Sequence, residues 1–209
     1  MCSPSSRRDT ARSATQVRLL KPQDVAPVAA VLVRAFDDDP IFQAILPEVE
    51  HRRRALRALF EAWIDELHLP HATSFTTEDR AGAALWSPPG RWSIGLVGLA
   101  RLAPRLLPAL GRRTVPALRV LGALDGPHPR VPHNYLRVIG CDPDRQGKGI
   151  GAALLRPMLE RCDAKREPAY LESSNERNLT FYRRQGFEVT AEVTTYLGPR
   201  AYCMWREPR

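Results

Sequence analysis

The chain is poor in the features that mark most special classes of protein. Its four cysteines, Cys2, Cys141, Cys162 and Cys203, are widely scattered. They have neither the paired spacing of a zinc site nor the density of a disulfide scaffold, so they read as buried or incidental thiols and no metal is expected. No apolar run approaches the roughly 18 residues of a membrane-spanning helix, which argues against a membrane partner. No internal repeat or long low-complexity tract interrupts the sequence. The first fourteen residues are rich in Ser and Arg and lack a hydrophobic stretch, so residues 1–14 read as a disordered tail rather than a secretory signal. Cytoplasm is the expected location.

Positive charge is in excess, at a formal +8. The arginines are dispersed, however, and neither a basic recognition helix nor an aromatic RNA platform is evident, so no nucleic-acid partner is expected. A mostly solvated arginine surface accounts for the charge, and a polyanionic ligand would also profit from it. With 44% apolar residues in 209, the chain can bury a sizeable core, and residues 15–209 read as one domain.

Thr15 to Leu20 alternates like a strand, and Val25, Val28, Ala29, Leu32 and Phe36 then share a helical face. Asp37, Asp38 and Asp39 before Pro40 end that helix. They read as a solvated turn, or as acidic groups that attract a cationic ligand. A short helical turn is expected at Ile41 to Leu46. Leu56, Leu59, Phe60, Trp63, Ile64 and Leu67 mark a core-facing helix that Pro70 closes. Ala72 to Thr77 and Gly82 to Ser87 read as an antiparallel pair. Between Pro88 and Pro132, proline and glycine spacing predicts only short helices, around Ser93 to Leu102 and Val115 to Leu124. Leu96, Leu99, Ala100 and Leu102 are expected to pack onto the core, while this insertion as a whole covers a pocket.

The most informative stretch is Asp142 Pro143 Asp144 Arg145 Gln146 Gly147 Lys148 Gly149 Ile150 Gly151, directly after the apolar-rich run Tyr135 to Cys141. It reads as a strand feeding a glycine turn that opens a helix, an arrangement that aims free backbone N–H groups at one point and favours phosphate there. A Walker loop needs Gly-Lys followed by Ser or Thr, whereas Gly149 follows Lys148; the glycine spacing also departs from the dinucleotide fingerprint. Glycines kept for packing at a helix start are the bland alternative. Pro157 should kink the helix that follows. Ala169 to Ser173 is the next strand and Asn175 to Gln185 the next helix. Phe187 to Thr195 and Tyr202 to Arg206 form a closing pair.

Gln146 to Gly151 resembles the acyl-CoA pyrophosphate loop of the GCN5-related N-acetyltransferases (GNAT family). Glu172 to Phe187, ending in Phe181 Tyr182 and Gly186 Phe187, resembles that family's later strand and helix. The segment from Tyr135 to the end is most similar to the puromycin-acetylating branch.

The resemblance implies a mixed α/β (α+β) fold, with a central, mostly antiparallel, twisted sheet flanked by helices and splayed in the middle. It also implies acetyl-CoA as co-substrate. Backbone groups of Ile139, Gly140 and Cys141 would hold the pantetheine, and Gln146, Gly147, Lys148, Gly149, Ile150 and Gly151 would cradle the pyrophosphate. Asn175 or Asn178 would contact the pantetheine arm, although Asn178 stands where the family often has a small residue. Glu172, ending its strand, is the candidate base for an ammonium whose pKa is near ~10.4. A surface glutamate or an arginine partner is the alternative. Tyr182 is the candidate acid for the departing thiolate, with a buried aromatic as the alternative. His133, Trp86, Tyr196 and Tyr202 are equally readable as acceptor-site lining or as ordinary core and rim.

The expected activity is transfer of acetyl from acetyl-CoA to a primary amine of a small molecule, with an aminonucleoside-type antibiotic the sharpest substrate. The chain is expected to act as a monomer or homodimer. A protein or peptide N-acetyltransferase and a non-catalytic acyl-CoA sensor are the alternatives.

Overall fold

The computed structural model describes residues 16–209; the expected tail and Thr15 lie outside the described residues. The strands are β1 Val17–Leu19, β2 Phe75–Thr77, β3 Gly82–Ser87, β4 Asn134–Cys141, β5 Ala169–Ser173, β6 Glu188–Thr194 and β7 Arg200–Arg206. They form one sheet in the order β1-β2-β3-β4-β5-β7-β6. Every neighbouring pair is antiparallel except β4 and β5. The mixed, mostly antiparallel sheet expected from the sequence is therefore present.

Helices cover both faces. Helix α1 (Val25–Ala35) and helix α3 (Val49–Trp63) lie on one face, with the short helix α2 (Pro40–Ile45) between them in sequence. Val28, Leu32, Leu56 and Phe60 pack there on Ala83, Leu85 and Val138. Helix α6 (Ile150–Lys165) covers the other face, where Leu154, Leu155 and Met158 meet Trp86, Leu136 and Leu171. Helix α7 (Leu179–Arg184) joins that side through Leu179 and Tyr182. Trp86 and Tyr202 thus belong to this core, Tyr202 also edging a cleft beside Asn175 and Arg177, whereas Tyr196 is exposed beneath Arg119, 4.1 Å from its ring.

One irregularity positions the site. In the β3–β4 register, Leu85 pairs with Val138 and Trp86 with Leu136, which leaves Arg137 as an extra residue in β4. Such a bulge shifts side-chain parity and bends the strand. Leu136 and Val138, two apart, accordingly point to opposite cores. Pairing with β5 runs only through Asn134–Ala169, Tyr135–Tyr170 and Leu136–Leu171, and stops where the bulge begins. The middle of the sheet splays there.

The insertion differs from expectation. Helix α4 spans Leu96–Leu110, longer than predicted and continuous through Pro104 and Pro108; helix α5 spans Thr114–Asp125. Both prolines are exposed, as are Ala100 and Pro104, whose carbonyls they free, so those carbonyls lie where solvent can replace the missing N–H groups. Pro157 likewise sits inside a continuous α6. The leucines also fall differently. Leu102 is buried, but Leu96, Leu99 and Ala100 are exposed, because the inward stripe of α4 runs through Gly98, Leu102 and Leu106.

Asp24, fully buried, ties β1 to the β2–β3 turn. It accepts from Arg18 at 2.6 and 3.0 Å, from Arg80 at 2.6 Å and from the Lys21 amide at 3.0 Å. The Arg18 hydrogen bonds lead in holding its carboxyl down, to about 2, against the opposing effect of burial. The unfolded carboxyl titrates near ~3.9, so the stabilisation is complete above that pH and disappears as pH falls through about 2. We expect Asp24→Asn to cost about 3–5 kcal/mol at neutral pH, because it removes the buried carboxylate that holds charge-assisted hydrogen bonds to both Arg18 and Arg80, at about 1.5–3 kcal/mol each. Denaturant unfolding from pH 7 down to pH 2 checks this. The variant should also show a flatter acid limb, its difference from the parent shrinking by about 2 kcal/mol across that window.

Candidate active site

The glycine turn follows β4. Asp142 caps a 3-10 turn at Pro143–Arg145, and Gly149, with φ +78°, is the N-cap of α6. Gly147 has φ +74°. A side chain at Gly149 would be strained, yet a Cβ there would meet nothing within 4 Å, so the space beside the backbone is open. The first backbone bond of the helix is Ala153 N–H to Gly149 O. The N–H groups of Gly147, Lys148, Gly149, Ile150, Gly151 and Ala152 therefore donate to no described residue. Successive unpaired amides at a long helix's N-terminus suit a diphosphate, which carries negative charge on several oxygens. Lys148 Nζ donates to Asp144 O at 3.1 Å, which keeps its charge beside the turn.

A pocket opens at the splay, lined among others by Ile139, Arg137, Glu172, Ser174, Asn178 and Tyr182. Gly140 and Cys141 continue the same β4 edge, which has no β5 partner beyond Leu136. Helix α1 packs so tightly against the strand that a Cβ on Gly140 would lie 3.0 Å from Ala35 and Leu32. Asn175 lines the pocket too, while its side chain accepts from Arg177 N at 3.1 Å to cap the 3-10 turn Glu176–Asn178. The fold thus brings together the predicted backbone edge, both asparagines, Glu172 and Tyr182. Gln146 to Gly151 lie just beyond, at the far end of β4.

Glu172 is no surface glutamate. Its side chain is 8% exposed, with Oε1 3.0 Å from His128 Nδ1 and Oε2 accepting from Tyr135 Oη at 2.6 Å. Its charge, together with burial, the larger effect, raises the Tyr135 phenol well above its ordinary value. Tyr182 is buried and donates to no described residue. Burial, and then the Asp39 carboxylate, raise its phenol, so it carries its proton throughout the neutral range.

The three aspartates separate. Asp37 pairs with Arg53 at 2.6 Å, Asp38 lines the pocket, and Asp39 caps α2 by accepting from Ile41 and Phe42 amides. Asp39 also accepts from the Ser174 hydroxyl. Arg137, the bulged residue, lies 5.5 Å from the Trp63 ring centroid and 5.0 Å from that of Tyr135, and donates to the Trp92 carbonyl. Its Nε has no hydrogen-bond partner among the described residues.

Sequence reasoning missed His128, Tyr135 and Trp92. Only the pair of histidines within Pro127–His133 hinted at them, and without a helical or strand period to align them it gave no direction.

The GNAT acetyltransferase domain model matches residues 118–189. An uncharacterised N-acetyltransferase of Schizosaccharomyces pombe is 32% identical over 178 residues, spanning 79% of this chain and 71% of that protein. A Corynebacterium glutamicum structure described as histone acetyltransferase HPA2 and related acetyltransferase matches with a TM-score of 0.72 at 27% identity, covering 93% of this chain and 96% of the other. An N-acetyltransferase of Staphylococcus aureus Mu50 shares the fold at 16% identity, with a TM-score of 0.62 over 91% of this chain and 99% of its own. The splayed sheet, the open glycine turn and this relatedness agree: the chain belongs to the GNAT family and is an acyl-CoA-dependent acetyltransferase.

Proposed function

We propose that the enzyme acetylates the primary amine of a small cationic molecule, most sharply an aminonucleoside-type antibiotic, and so serves self-protection. The observation that carries this reading is the acidic pocket at the β4–β5 divergence, with Asp38, Asp39 and Glu172 in its lining. Trp92 and His128, from either side of α4 and α5, close over Glu172, and Arg105 ties α4 to Asp65 at 2.9 Å. An acidic pocket of this kind favours a compact cation.

The residues fit acetyl-CoA, the donor used by GNAT enzymes, which supplies a thioester carbonyl for attack by an amine. The amides of residues 147–152 would hold its diphosphate. The free β4 edge at Ile139 to Cys141 would hold the pantetheine, with Asn175 and Asn178 facing the same slot. Glu172 takes a proton from the incoming ammonium. Tyr182, lining the same pocket, donates one to the departing sulfur.

Tyr182→Phe is expected to lower turnover roughly 10- to 100-fold, at the lower end of general-acid effects. Acetyl-CoA affinity should be unchanged, because no hydrogen bond within the protein is removed. Steady-state kinetics alongside calorimetry checks both; unchanged turnover removes Tyr182 from the mechanism.

A second reading is acetylation of a protein amine, favoured by the description of the Corynebacterium glutamicum relative as a histone acetyltransferase. Free-thiol release from acetyl-CoA, measured against puromycin, polyamines, amino acids and peptides, decides between them. Efficient turnover of peptides alone overturns the small-molecule reading.

A further inference from the structure

Glu172 is the first member of a buried file of titratable groups. Its Oε1 lies 3.0 Å from His128 Nδ1, His128 Nε2 lies 3.1 Å from His133 Nε2, and His133 Nδ1 lies 2.7 Å from Val131 O. His128 is 4% exposed and His133 1%. Trp92 stacks on His128 at 3.9 Å, and the rings of Tyr135 and Tyr170 meet it edge-on. The donor atoms face each other in series rather than converging, and no group among the described residues is arranged to hold a metal ion.

The hydrogens in such a file can be counted. A carbonyl only accepts, so His133 Nδ1 must carry hydrogen. The His133–His128 and His128–Glu172 contacts each need one hydrogen, since facing lone pairs or facing N–H groups repel. With the Tyr135 hydroxyl, the four contacts hold four hydrogens. Two neutral imidazoles, one phenol and an ionised carboxylate bring only three. When every contact is bonded, the file therefore holds one additional proton, which cancels the carboxylate charge.

We infer that Glu172, His128 and His133 form a single proton store that takes up the proton released by the acceptor amine. This rests on the reading of Glu172 as the base. Lacking the additional proton, the file is net negative and one contact is unbonded. The ammonium's first proton passes to Glu172, charge neutralises and the missing bond forms. The amine nitrogen then bonds the acetyl carbon as the carbon–sulfur bond breaks. The nitrogen then loses its second hydrogen, which returns through solvent to the Tyr182 oxygen in place of the one given to the sulfur, and the stored proton leaves to solvent. His128 and His133 are positioning residues: they touch no reacting atom and act through Glu172.

Several ionisable groups surround this file. Facing it are Tyr135 and Arg137 from β4, Tyr170 from β5, Cys203 from β7, Asp125 at the end of α5, and Arg130, 5.1 Å from the Trp92 ring. Burial, first, raises both phenols and the Cys203 thiol, so they stay protonated. Burial also lowers His133 below its ordinary value.

The test pairs two readouts. In the first, the pH dependence of kcat/KM is compared for the parent, His128→Asn and His133→Gln, on whichever amine the thiol-release panel identifies. The parent's rising limb is expected near neutrality. His128→Asn should move it by at least about one pH unit toward the carboxylate range, with kcat reduced roughly 10-fold, and His133→Gln should move it less in the same direction. A limb that stays in place while kcat scales overturns the store. In the second, 15N NMR of the unmodified protein reads the ring nitrogens without any acceptor. His133 protonated at Nδ1, with His128 and His133 titrating as a coupled pair, supports the store; two independent curves overturn it. An inactive parent with coupled imidazoles would count against the proposed substrate and not against the store.

Discussion

Replacing Gly149 with Val is expected to weaken acetyl-CoA binding by roughly 100-fold or more while leaving the protein folded. Gly149 holds φ +78° at the N-cap of α6, and nothing within 4 Å would touch a Cβ there. The first atom of the new side chain therefore meets no part of the protein. Its intramolecular cost is the left-handed conformation, about 1–2 kcal/mol, which lowers Tm by only a few degrees. The new side chain would instead stand where a diphosphate must approach the amides of residues 147–152. Losing two charge-assisted hydrogen bonds, at about 1.5–3 kcal/mol each, accounts for the affinity change. Calorimetric titration with acetyl-CoA and a thermal melt separate the two effects. Unchanged affinity would mean that the turn does not hold the diphosphate.

Glu172→Gln is expected to reduce turnover roughly 100- to 10,000-fold, the span associated with a lost general base, with acetyl-CoA affinity retained. The exchange is nearly isosteric. The amide oxygen can still accept from Tyr135 and the amide N–H₂ can donate to a neutral His128, so both contacts of the carboxylate survive. What is lost is the capacity to take a proton. The sign of the pH response follows: without a base the reaction depends on amine that is already neutral in solvent, so the variant's rate should climb with pH toward the amine's own pKa. The deficit is greatest at low pH. Rate-against-pH curves for both proteins check this, and a deficit that is constant at all pH values would make Glu172 a structural group only.

Comparison of Gly149 with Glu172 shows what could be read from residue order. The glycine turn is local. Its conformation, its unpaired amides and the helix that follows are set by neighbours within a few positions, so Gln146 to Gly151 could be placed without knowing the fold. The strand Ala169–Ser173 matched its predicted bounds for the same reason, a short apolar run bounded by polar residues. Glu172 could be nominated by its place at the end of that strand, but its partners could not. His128 is 44 residues away and Tyr135 is 37, and they meet it only because β4 and β5 are parallel neighbours beneath the insertion.

The insertion shows the opposite limit. Two prolines in Leu96–Leu110 led to the expectation of short helices, because a proline normally removes a bond that the interior must replace. Here the helix exposes those positions to water, so the cost is small and the helix continues. Which face of a helix is turned to solvent is settled by its neighbours. Likewise Leu96 and Leu99, read as core from their composition, are left outside because the seam against the domain follows Gly98 and Leu102.

By itself the sequence determined the alternation of strands and helices, the phosphate-ready turn and the candidacy of Glu172 and Tyr182, since these depend on backbone freedom and side-chain chemistry carried by each residue. Tertiary structure alone decided that Arg137 is bulged out of register, that the sheet parts immediately beyond Leu136, and that a carboxylate, a phenol and two imidazoles are sealed together behind that gap. Register and burial are properties of strands meeting across the fold, and local residue order specifies neither.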